Sequence, residues 1–77
     1  MEFSEKQKKA FLKKFGQSVM EAIYAKYGSK SEFARETGFI RKSLHKVLKG
    51  QDTRMSTLWK LSVALGVNPR DLLPKED

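Results

Sequence analysis

The sequence predicts an all-α domain of five short helices preceded by a helical N-terminal extension. Three observations carry that prediction. Apolar residues recur at i, i+3, i+4 spacing along most of the chain, as one buried face of a helix requires. No segment alternates apolar and polar residues as a half-buried strand would, and no Asn-Gly or Asp-Gly hairpin turn is present. Glycine and proline stand where helices should stop and start. Gly28, Gly50 and Gly66 each follow an apolar-periodic stretch, Gly38 breaks another, and Asn68-Pro69 opens the last.

Taken in order, Ser4–Lys14 reads as the extension, opened by a capping box of Ser4 and Gln7. It either runs on through Gly16 or bends there, since glycine inside a helix costs about 1 kcal/mol. Phe15–Lys26 is the first core helix, with Phe15, Val19, Ala22 and Ile23 inward. Ser29 caps Lys30–Thr37, and Glu32 at the third position completes a second capping box. Arg41–Lys49 follows the Gly38 turn. The loop Gly50–Arg54 leads to a helix reaching about Leu65, with Met55, Leu58, Leu61, Ser62 and Leu65 expected inward. Asn68 caps and Pro69 starts a last short helix, Pro69–Leu73, which Pro74 ends. Residues 1–14 are then a basic extension, 15–73 the domain, and 74–77 a tail.

A chain of 77 residues makes one small domain. At this size only about 60% of the unfolded chain's surface is buried, so stability is modest and a partner subunit is plausible. There is no cysteine and one histidine, which excludes a disulfide framework and a thiolate zinc site. No cofactor is expected. Neither a nucleophile–base pairing nor a carboxylate pair in an apolar setting is visible, so an enzyme is not expected either. The apolar runs fall far short of the ~20 residues that cross a bilayer. Lysines interrupt the apolar residues near the N-terminus, unlike a signal peptide, so a cytoplasmic, nucleoid-associated protein is expected. The net charge of +7 favours a polyanionic partner, nucleic acid before anionic membrane.

The placement of that charge says more than its total. Between Thr37 and Gln51 there is no acid, against Arg41, Lys42, His45, Lys46 and Lys49. At roughly 100° per residue these five fall in one arc of about 140°. Ile40, Leu44, Val47 and Leu48 take the opposite side, and Ser43 sits on the margin. A short helix that is apolar behind and wholly basic in front is suited to DNA. A second basic cluster, Lys6, Lys8, Lys9, Lys13 and Lys14, lies beside Glu2 and Glu5. Such a run reads most simply as a solvated helix face.

These residues resemble a known family. Phe33, Ala34, Gly38, Phe39, Leu44 and Val47 match the pattern of the Cro–repressor (XRE-type) helix-turn-helix domains. There a small residue lets two helices cross, glycine makes the turn and apolar residues hold the second helix. The run Met55–Val67, with its Ala64-Leu65-Gly66-Val67 ending, looks like that family's fourth helix, and Asn68–Leu73 looks like its fifth. The likeness covers Phe15 to Leu73, about three-quarters of the chain. It implies a lambda-repressor-like domain, and a sequence-specific regulator of transcription that binds double-stranded DNA. A homodimeric repressor on a palindromic operator is the leading expectation within that class.

An α-helix fits the major groove, and Arg and Lys suit the guanine acceptors there. By resemblance, Arg41, Lys42 and Lys46 fall where family members read bases, and Ser29 and Lys30 where they contact phosphate. Ser43, Lys49 and Arg54 are the next phosphate candidates, with His45 at the rim. Trp59 and Val63, offset from the Leu58–Leu61–Leu65 stripe, are either peripheral core or a dimer contact. With Asn68, Pro69 and Leu72 they make the expected dimer interface. Phe3, Phe11 and Leu12 would cover the domain or widen that interface.

Three positions depart from the family pattern. Ile40 stands where Ser or Thr usually caps the recognition helix; it would pack inward or touch a thymine methyl. Lys30 and Arg41 replace common glutamines, which leans recognition toward charge. Ile23 and Leu48 occupy the sites of a frequent buried Arg–Glu pair, an exchange that is often neutral or stabilising. Other readings are an antitoxin that represses its own operon and binds a toxin, a protein-interaction module that keeps the fold without touching DNA, and an anionic-surface binder.

Overall fold

A single 22-residue helix, α1 (Glu5–Lys26), takes up both the extension and the first core helix. In this computed structural model, which describes residues 3–74, four shorter helices follow it. They are α2 (Lys30–Thr37), α3 (Arg41–Leu48), α4 (Met55–Leu65) and α5 (Pro69–Leu72), and α1 touches all four. No described residue lies in a strand. Met1 and Glu2 of the extension, and the tail apart from Pro74, lie outside the described residues.

The expected caps are in place. Ser4 Oγ accepts from the Gln7 amide at 3.4 Å and Ser29 Oγ from the Glu32 amide at 3.1 Å. Asn68 Oδ1 accepts from the Arg70 amide at 3.1 Å, with Pro69 opening the helix. Two ends differ by a residue from expectation: Lys49 and Leu73 are caps rather than helical residues. Helix ends commonly fray by that much.

Gly16 explains why α1 runs straight through a glycine. It is buried, and a Cβ built there would sit 2.7 Å from the Val47 carbonyl oxygen and 3.3 Å from that of Leu48. The C-terminal end of α3 therefore rests directly on the α1 backbone. The cost of glycine in a helix, about 1 kcal/mol, is offset by a helix approach that no side chain permits. Toward the N-terminus the same neighbours stay close: a Cβ at Gly50 would come within 3.3 Å of the Lys13 Cα. Leu12 is half-buried, and Lys8 Nζ reaches Asp52 Oδ2 at 3.2 Å.

The core draws on every helix. Phe15, Val19 and Ile23 of α1 meet Phe33 of α2, Leu44 and Val47 of α3, Leu58, Leu61 and Leu65 of α4, and Leu72 of α5. Ala22, Phe39 and Leu48 pack around its edge. Ser62 is buried with the apolar stripe, and its hydroxyl donates to the Trp59 carbonyl at 2.7 Å, so no polar group is stranded. Met55 is a correction. It follows the inward register but is 80% exposed at the very start of α4, where Leu58 is the first side chain of the helix to be buried.

The far end of α1 closes the domain. Lys26 Nζ donates to the Leu65 carbonyl at 3.2 Å and Tyr27 Oη to the Ala64 carbonyl at 3.0 Å. Both satisfy carbonyls that the last turn of α4 cannot pair internally. Tyr27 also meets Phe33 edge-to-face at 5.3 Å, which ties this clamp to α2.

On helix propensity alone, Gly16→Ala should stabilise the protein by about 1 kcal/mol. The approach of Val47 reverses the sign, and overpacking should cost roughly 1–3 kcal/mol instead. Urea denaturation of the two proteins measures the difference. A variant at least as stable as the parent would show that α3 does not rest on α1 at this point.

Candidate nucleic-acid interface

The turn between α2 and α3 is built on Thr37, Gly38 and Phe39. Thr37 Oγ1 donates to the Phe33 carbonyl at 2.6 Å and accepts from the Phe39 amide at 3.3 Å. Gly38 lies between them with φ 72°, a left-handed conformation that a side chain resists, and its amide returns to the Ala34 carbonyl at 2.9 Å. Phe39 then packs on Phe33, ring centroids 5.7 Å apart, and the chain turns into α3. Hydrogen bonds on one side and a tilted ring contact on the other hold the two helices in a set orientation.

On α3 the periodicity resolves as the spacing requires. Leu44 and Val47 are buried and Leu48 half-buried, while Arg41, Lys42, His45, Lys46 and Lys49 are all exposed. A helix of eight residues is about 12 Å long, which suits a major groove about 12 Å wide. Ile40 belongs elsewhere than expected. It is 65% exposed rather than part of the apolar back, because it precedes the first helical turn and points off the end of the helix stripe. As the N-cap residue it makes no side-chain hydrogen bond, so no side chain occupies the first amides of α3 in the manner of a serine cap.

The fold brings the remaining candidates together in three places. Lys30, at the start of α2, shares a shallow depression with Arg41 and His45 of α3. Ser29, half-buried, keeps a hydroxyl proton free to donate while its oxygen caps α2. Ser43 sits instead on a groove of about 480 Å³ whose walls include Ile40, Trp59 and Val63. Lys46 faces a third depression, across from Lys8 and Lys9 of α1. Arg54, the N-cap of α4, is exposed like Lys49.

Among the described residues Lys8–Asp52 is the one ion pair, so none of the basic side chains of α3 is tied to an acid. The hydrogen bond that Lys8 donates to Asp52, followed by the charge of Asp52 and that of Glu5, holds the Lys8 ammonium above its ordinary pKa. Ser31, Thr57, Lys60, Lys8 and Lys9 line the three depressions but were not foreseen. Ser31 had a local signal, its place in the first turn of α2; the others come from distant parts of the chain. Of the expected interface set, Trp59 and Val63 are each 61% exposed, Asn68 is exposed and Pro69 half-buried. Leu72 is a correction: it is 2% exposed within its own chain, where it plugs the α1–α4–α5 junction, and leaves nothing for a partner to cover.

No helix among the described residues is long and apolar enough to cross a membrane. No curated protein and no solved structure matches the chain. A family model for the Cro/C1-type helix-turn-helix DNA-binding domain matches residues 20–76. That stretch holds α2, the Gly38 turn, the basic α3 and both following helices, so the chain belongs to the Cro/C1-type helix-turn-helix DNA-binding domain family.

Proposed function

We propose that this DNA-binding regulator is a sequence-specific repressor that reads a palindromic operator through the major groove as a homodimer. The observation that carries the reading is the split of α3 into a buried apolar back and an exposed, acid-free basic front. Arg41, Lys42 and Lys46 take the bases, Arg41 in a two-pronged manner on guanine. Ser29, Lys30, Ser43, Lys49 and Arg54 take the phosphates and set the register of the helix in the groove. His45 lies at the rim. Ile40, exposed at the start of α3, is available to a thymine methyl.

Support for a dimer comes from α4. Met55, Trp59 and Val63 stand at i, i+4, i+8 and are 80%, 61% and 61% exposed. An apolar strip of that kind on a small soluble domain favours burial by another surface. Asn68 and Pro69 complete the interface; Leu72 does not take part. A single recognition helix reads few base pairs and discriminates poorly among genomic sites, whereas a two-fold pair doubles the sequence read.

Selection of bound sequences from random duplexes tests the whole reading and yields the site. On that site, Arg41→Ala and Lys46→Ala should each cost roughly 1–3 kcal/mol and relax the preference at one base position. Lys49→Ala should weaken all duplexes alike and make the log–log salt slope shallower by about one. Uniform losses for Arg41→Ala or Lys46→Ala would move that residue to the phosphate set.

The selected site should contain two half-sites with centres about 10–10.5 base pairs apart. Trp59→Ala should weaken binding to the full palindrome and leave half-site affinity nearly intact. Sedimentation on DNA measures the stoichiometry, and one chain per full site at saturation would exclude the dimer.

A further inference from the structure

Residues 5–14 of α1 carry five lysines and one glutamate, and the recognition surface just described uses none of them. In isolation such a run is a solvated face. Here it is docked beside the recognition helix. Lys8, Lys9 and Leu12 form one wall of a depression whose other wall is Lys46, Gly50 and Asp52. The Lys13 backbone lies directly under Gly50, where a Cβ would approach its Cα to 3.3 Å. The position of this segment relative to α3 is thus set by packing.

At about 100° per residue, Lys6, Lys9 and Lys13 fall within an arc of about 60° on α1. All three are exposed and none is in an ion pair among the described residues. Among the described residues, two acids lie near the strip. Asp52 is engaged by Lys8 at 3.2 Å, which offsets one negative charge on the depression that Lys46 lines. Glu5, on the wall of the same depression, faces Lys8 as well. The result is a positive surface that continues from Lys46 onto α1. From Lys6 to Lys13 the helix rises about 10 Å. One strand of B-DNA advances about 3.4 Å per phosphate, so the strip spans about three phosphates.

We infer that the N-terminal half of α1 is a second DNA-contacting element, with Lys6, Lys9 and Lys13 lying along the phosphates that flank the groove entered by α3. The inference rests on the DNA-binding reading of α3. These contacts carry no base preference: they add affinity and lengthen the footprint beyond the bases that α3 reads. Lys8 acts at one remove, as the residue that neutralises Asp52.

The test compares the wild-type chain with the triple variant Lys6→Gln, Lys9→Gln, Lys13→Gln on the selected duplex. The triple variant should bind roughly tenfold or more weakly at low salt, with a log–log salt slope shallower by about 2–3 and the same base preferences. Trimming the duplex to the bases read by α3 should remove the difference between the two proteins. Equal slopes and affinities would overturn the inference and leave the α3 reading intact. A wild-type chain that binds anionic vesicles but no duplex would overturn both. Glutamine is nearly as good a helix former as lysine, and a thermal melt checks that the variant folds. If it does not, phosphate ethylation on wild-type complexes decides: interference at phosphates outside the α3 bases supports the contact, and its absence overturns it.

Discussion

The contact on which the rest of the structure depends is the seat of α3 on α1 at Gly16. Two helices ordinarily pack with side chains between them, 8–10 Å axis to axis. Here the Val47 carbonyl lies where a Cβ of residue 16 would be, at 2.7 Å, so backbone meets backbone. That approach presses Leu44 and Val47 into the cavity formed by Phe15, Val19, Ile23 and Phe33. Once the apolar back of α3 is held, the outward aim of Arg41, Lys42 and Lys46 is no longer free. The exposed basic face of α3 is a consequence of how the other side of the same helix is buried.

Around that seat the fold uses local chemistry to remove freedom at each joint. The Thr37–Gly38–Phe39 turn joins two eight-residue helices that would not be stable alone. The hydrogen bond from Thr37 to the Phe33 carbonyl and the packing of the Phe39 ring on Phe33 couple the turn to the core. Tyr27 and Lys26 do the same for α4 by occupying its terminal carbonyls. Preorganisation of this kind matters for a surface that binds by many weak contacts, because each side chain or helix left to be ordered on binding subtracts from affinity.

The domain also separates its surfaces by chemistry. The basic front of α3 and the lysine strip of α1 are polar and acid-poor, whereas α4 presents Met55, Trp59 and Val63 to solvent. The first is suited to a polyanion with its hydration and counterions, and the second to a dry contact with protein. The groove of about 480 Å³ between Ile40, Trp59 and Val63 lies where the two surfaces meet.

Helix identity, caps and the inward stripe were legible in the sequence, because each depends on spacing within a dozen residues. Ser4, Ser29 and Asn68 cap where their type and position demand, and Leu58, Leu61, Ser62 and Leu65 face inward by periodicity alone. The basic arc of α3 was legible for the same reason. What periodicity does not contain is how far a neighbouring element extends. Met55 keeps the inward pattern yet stays exposed at the start of α4, Ile40 falls off the stripe ahead of α3, and Leu72 is buried because α1 and α4 converge on it. Gly16 is a flaw in a helix by propensity alone and a requirement once α3 lies across it, and the α1 segment that reads as a solvated face has its Lys13 backbone packed against Gly50. The local pattern of residues determined which faces are apolar, basic or capped. Contacts between residues far apart in the chain decided which of those faces meet, because burial is a property of neighbours brought together by the fold.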